Sequence, residues 1–168
     1  MKQPKIDIHC HTTSRPLTGV GSSDASIAAI RRNMHEHDIA TTVLLATYFP
    51  HKGSGVTNYR LHNWIRDEPS MVMFGSLDME HYFNQGMSEL EELAAERKIH
   101  GIKFYTGYQT IGLADDKTRT VLRLAEEYAL PVAFHAGYSH GAEKLGKGSF
   151  TDFVKPSMIA KATEAYNI

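Results

Sequence analysis

The stretch KIDIHC, residues 5–10, reads as a β-strand on which Asp7 and His9 share one face, with His11 next in register, while Cys10 points the other way. Working outward, strand-like runs return at TTVLLA (41–46), MVMFGSL (71–77), GIKFY (101–105) and PVAFH (131–135), so that starts fall 36, 30, 30 and 30 residues apart. Most of these runs are apolar on both faces, as buried parallel strands are. Between and after them lie amphipathic segments at 24–37, 57–67, 88–98, 115–129 and 156–166. Ser88 and Glu91 have the spacing of a capping box and predict the start of the third helix. Val121, Leu124, Ala125 and Tyr128 form one apolar stripe, and Ile159, Ala162, Thr163 and Tyr166 another, behind a proline at 156 that suits a first helical turn.

Strand and helix alternating at this period predict an α/β fold of stacked βαβ units around a parallel sheet. No Gly-x-Gly-x-x-Gly follows the first strand, which weighs against a dinucleotide-binding sheet. The expectation is a TIM-barrel-type (β/α) repeat. A closed eight-stranded barrel needs about 250 residues, and the rhythm would start a sixth strand near residue 168. The chain is therefore expected to hold about five βα units of an incomplete (β/α)8 barrel, as one domain over residues 1–168. A complete small open sheet is the alternative.

Of the 168 residues, 42% are hydrophobic and 22% charged, with net charge −1. No basic or acidic tail suggests a nucleic acid or a membrane surface as partner. The start MKQPKID lacks the apolar run of a signal peptide, and no stretch approaches the roughly 20 apolar residues of a membrane span. A cytoplasmic location is expected. The single cysteine, Cys10, excludes an internal disulfide and is expected to pack in the core.

In parallel α/β arrays, functional groups gather at the carboxyl ends of the strands. His9 and His11 end the first strand, Lys103 and Tyr105 the fourth, and His135 the fifth. With ten histidines, chance alone would supply about 0.6 His-x-His pairs, so the pair matters only through its context. A second pair, His35 and His37, falls on a predicted helix, where positions i and i+2 diverge. On a strand the two imidazoles share a face and can meet one ion. Three histidines at one end of a barrel suit zinc, with an open position for water of lowered pKa.

IDIHCH on strand 1, GIKFYTGYQ on strand 4 and PVAFHAG on strand 5 resemble the amidohydrolase superfamily, in flavour its amidohydrolase 2 branch of metal-dependent hydrolases and decarboxylases. The likeness runs from residue 6 to about 137. It implies a TIM barrel in which His9, His11 and His135 bind a divalent metal, most often zinc, with manganese the alternative. The family also uses a strand-6 histidine and a strand-8 aspartate, the latter as ligand and proton shuttle. Neither strand falls within residues 1–168, so the catalytic residue stays unassigned.

Lys103 corresponds to a lysine that dinuclear relatives carboxylate to bridge two metals, or to one that serves as an ordinary cation in the pocket; only an inward Lys103 could reach an ion. Arg15 is a candidate for holding a substrate carboxylate. Tyr48, Tyr105 and Tyr108 could wall a pocket for a planar substrate, and Gln109 joins them from the following loop. Asp7, deeper on the histidine face, is expected to be a structural hydrogen-bond or ion-pair partner. His51 and His140 read as surface loop residues.

The function expected from this set is a hydrolase using a metal-activated water on an amide, ester or lactone carbonyl, or a decarboxylase of an aromatic acid, with a small-molecule substrate that carries a carboxylate or an aromatic acid. A phosphoesterase of the PHP type also satisfies the opening DIHCHT. The third reading is a catalytically incomplete barrel fragment that binds only metal or a partner chain. Its open strand edges would expose apolar surface and favour homo-oligomers.

Overall fold

A computed structural model describes residues 3–13, 25–47, 55–106, 108–109, 111–136 and 155–168. Strand β1 (Lys5–Cys10) leads to α1 (Ile27–Glu36), β2 (Ile39–Leu45), α2 (Asn58–Ile65), β3 (Met71–Phe74), α3 (Phe83–Ala95), β4 (Ile102–Phe104), α4 (Asp116–Glu127), β5 (Val132–Phe134) and α5 (Pro156–Thr163). Among the described residues, five strands and five helices alternate. β1, β2 and β3 pair in parallel in that order, as do β4 and β5. A parallel bridge between Gly75 and Ile102 joins the two sets, supported by Gly75 N donating to Gly101 O at 2.9 Å and Lys103 N donating to Gly75 O at 2.7 Å. The spatial order is thus the chain order, β1 to β5.

Register explains why the two faces differ. Leu44 pairs with Met73 and Phe104 with Phe134. Leu44, Met73, Ile102 and Phe104 pack into one cluster with Ile30 and Met34 of α1, Leu61 and Ile65 of α2, Leu90 and Leu93 of α3, and Val121 and Leu124 of α4. This layer between sheet and helices is the core. By strand alternation, His9, Lys103 and Tyr105 belong to the opposite, inner face. Phe74 is also on that side, where its ring covers Gly101 so closely that a Cβ there would lie 2.5 Å from it.

Helix starts follow local chemistry at α1 and α4. The Ser26 hydroxyl accepts from Ala29 N at 3.2 Å, and the Asp115 carboxylate accepts from Lys117 N at 2.9 Å. The third helix departs from expectation. It begins at Phe83, so Ser88 and Glu91 lie within it and the capping box does not form. The reason is tertiary. Gly86, a poor helix former, sits against Leu77, where a Cβ would approach to 2.6 Å; the helix packs there and runs through the glycine. α5 starts at the expected proline and ties back to α4, with Asn167 N donating to Glu126 Oε1 at 3.0 Å. Among the described residues, no helix is long and apolar enough to cross a membrane.

Among the described residues β1 is paired with β2 alone, and on its outer face Ile6 is 62% and Ile8 73% exposed. Cys10 on the same side is half-buried against the core.

Candidate active site

Two histidines close β1. A register shift between Asp7 and Cys10 bends the strand end, and Asp7 Oδ1 accepts from His9 N at 3.0 Å, a local turn that holds the pair. Asp7 is thus the structural hydrogen-bond partner that its depth suggested. The His9 and His11 rings stand edge to face, with centroids 5.2 Å apart. His11 in turn lies 6.3 Å from the Tyr105 ring at the end of β4. Tyr105 meets Tyr108 at 6.2 Å, and Tyr108 meets His135 edge to face at 4.8 Å. A continuous run of rings therefore links the histidines of β1 to the histidine after β5.

Lys103 is the cation within this ring set. It is 2% exposed, points inward, and carries its Nζ over the Tyr105 ring at 5.6 Å. Burial lowers its pKa, and no carboxylate among the described residues pairs with it. Its charge reaches all three imidazoles. Burial pushes His11 down to about 4, helped by His9 and Lys103. Burial and then Lys103 also lower His9 and His135, although Asp7 pulls His9 back upward. At neutral pH the three rings are neutral, the state in which an imidazole nitrogen can be a ligand or a base. The same burial, with Asp7 nearby, raises the Cys10 thiol to about 11, so it is not a nucleophile at pH 7.

The other candidates divide. Tyr105 is 6% exposed and its hydroxyl donates to Ala46 O at 2.8 Å, so its ring rather than its OH is available to the site. Gln109 is engaged at both ends of its amide: Oε1 accepts from Met79 N at 2.5 Å and Nε2 donates to Leu77 O at 3.2 Å. That amide braces the loop after β3. Arg15 and Tyr48, together with His51 and His140, lie outside the described residues. Thr106 was not anticipated from the sequence; its hydroxyl donates to the His135 carbonyl, and a lone threonine after a strand carries no signal for this.

A family model described as Amidohydrolase matches residues 6–165. The chain belongs to the amidohydrolase family. Among solved structures, this amidohydrolase is similar to a TIM-barrel protein from Bordetella bronchiseptica at 14% identity and a TM-score of 0.68, over 98% of this chain and 64% of that one. It is also similar to a protein from Acinetobacter baumannii described as a probable 2-pyrone-4,6-dicarboxylic acid hydrolase with citric acid bound. There the identity is 21% and the TM-score 0.57, over 80% of this chain and 50% of that one. The chain thus spans between half and two-thirds of the length of these two structures. A comparison with curated proteins finds no match. The fold is that of a TIM-type barrel in part, with five βα units and no closure among the described residues.

The family implies a divalent metal, and the donors can be tested against it. Their chemistry fits: three neutral imidazoles share the inner face, and His135 Nε2 is buried with no hydrogen-bond partner among the described residues, as a nitrogen kept for a ligand would be. Their spacing does not by itself close on an ion, since among the described residues no three His, Cys, Asp or Glu side chains converge closely enough to hold one.

Proposed function

We propose that this amidohydrolase is a metal-dependent hydrolase of small molecules in which His9, His11 and His135 hold a divalent ion, zinc or manganese. Such an ion, when bound, supplies Lewis acidity and an activated water for attack on an amide, ester or lactone carbonyl. The observation that carries this reading is the buried Nε2 of His135, without a hydrogen-bond partner among the described residues, on the face that also bears the two neutral histidines at the end of β1. Lys103 offers a buried cation to a substrate carboxylate and holds the field of the site positive, while the Tyr105 ring, fixed through its hydroxyl, forms a flat wall beside it. Arg15 and Tyr48 belong to the same proposal as contacts to a carboxylate and a planar substrate. Decarboxylation of an aromatic acid would use the same groups.

The test is elemental analysis of the desalted protein beside the His9→Ala, His11→Ala double variant, followed by a panel of lactones, esters, amides and phosphate esters. About one zinc or manganese per chain, lost in the double variant, with turnover of a carboxyl derivative, supports the reading. Metal binding with turnover confined to phosphate esters would replace it with the phosphoesterase alternative, and absence of metal from both proteins would remove it.

A further inference from the structure

We infer that Tyr105, Thr106, Tyr108 and Gln109, which follow β4, together position the candidate site, and that among them Tyr108 sets the orientation of the His135 imidazole. These four side chains reach three other strands. The Tyr105 hydroxyl donates to Ala46 O, just past the end of β2, at 2.8 Å. The Thr106 hydroxyl donates to His135 O, just past β5. The Gln109 amide grips the backbone of Leu77 and Met79 after β3. Tyr108 turns back through its N–H, which donates to Tyr105 O at 3.1 Å, and lays its ring against His135 at 4.8 Å and 65°.

The role of Tyr108 follows from what His135 lacks. Its backbone is fixed on both sides, with N donating to Phe104 O at 2.9 Å and O accepting from Thr106, but no hydrogen bond holds its ring among the described residues. The second side-chain torsion of histidine is broad, so an unbonded imidazole takes its orientation from packing. The packing partner at hand is the Tyr108 ring, in the edge-to-face geometry that aromatic pairs prefer. Tyr108 therefore acts through His135 and is a positioning residue. Its part in ion binding rests on the function proposed above; its part in ring orientation does not.

The experiment records 1H–13C spectra of the histidine-labelled full chain, with His135 assigned through His135→Asn. Ring-current displacement of the His135 resonances is expected in the wild type and in Tyr108→Phe, with loss in Tyr108→Leu. Tyr108→Trp, with a larger ring, is expected to change the displacement while the other histidines keep theirs, and decides the matter if the leucine variant does not fold. Cobalt(II) titration of the same proteins is expected to show affinity falling about tenfold in Tyr108→Leu and holding in Tyr108→Phe, the loss typical of a removed outer-shell partner. His135 resonances that coincide in the wild type, Leu and Trp proteins would overturn the inference. A wild type that takes up no cobalt would remove the metal reading and leave the spectra to judge Tyr108.

Discussion

Asn58 and Ser76 exchange two hydrogen bonds: Asn58 Nδ2 donates to Ser76 O at 2.8 Å, and Ser76 N donates to Asn58 Oδ1 at 2.9 Å. One side chain at the start of α2 thus completes the backbone where β3 ends, at a place with no solvent exposure. Asn58→Ala would strand a buried donor and a buried acceptor. The cost should be about 3 kcal/mol, lowering the thermal midpoint by roughly 6–12 °C. A drop of less than about 2 °C would show that the pair is dispensable.

The contact between Phe74 and Gly101 predicts a steric lesion with a specific cure. Gly101→Ala drives a methyl into the ring from 2.5 Å and should cost about 1–3 kcal/mol in urea unfolding. Phe74→Leu in the same chain should recover part of that loss, because it vacates the volume. Additive losses in the double variant would mean that the two sites do not meet.

Tyr105 and Tyr59 should ionise late among the eight tyrosines. Burial, with Tyr108 adding to it, pushes Tyr105 up to about 12, and burial together with the bond from the Tyr59 hydroxyl to Glu92 Oε2 at 2.9 Å raises Tyr59 to about 12. A raised tyrosine pKa favours the neutral form in the fold. Its contribution is complete below pH 10, the ordinary value, and is lost as pH climbs through 12. Absorbance at the phenolate band should show a late phase, reduced in Tyr105→Phe and again in Tyr59→Phe. If Tyr105→Phe removes an early-titrating tyrosine instead, the buried position of Tyr105 is wrong.

Ile6 and Ile8 predict association. Two isoleucines, 62% and 73% exposed on a strand that has no partner on one edge among the described residues, form a surface that water disfavours. Sedimentation should show mass rising with concentration, and Ile6→Lys with Ile8→Lys should suppress it. Equal sedimentation of the two proteins across the concentration range would refute the role of this face.

Much of this was present in the chain as a line of letters. The alternation in KIDIHC and the near-constant spacing of apolar runs determined strand, helix and their order, because a side-chain period of two or of 3.6 is a local property. Pro156 marked a helix start for the same reason: a residue in the first turn acts on its own turn. The inward face of Lys103 was already half legible, since it shares parity with Tyr105. Where signals conflicted, local reading failed. Ser88 and Glu91 argued for a later start, yet the helix begins at Phe83 and packs through Gly86 against Leu77.

Only the tertiary structure decided the rest. Gln109 looks from its position like a pocket residue, but both ends of its amide answer to backbone more than two dozen residues earlier, at Leu77 and Met79, and nothing near it in sequence says so. The chain of rings from His9 to His135 draws on the ends of β1, β4 and β5, and the neutrality of its imidazoles comes from burial and from a lysine on β4. Sequence determined which residues stand at the strand ends, because periodicity is short-range. Their distances, protonation and partners depend on long-range packing, which only the assembled fold supplies.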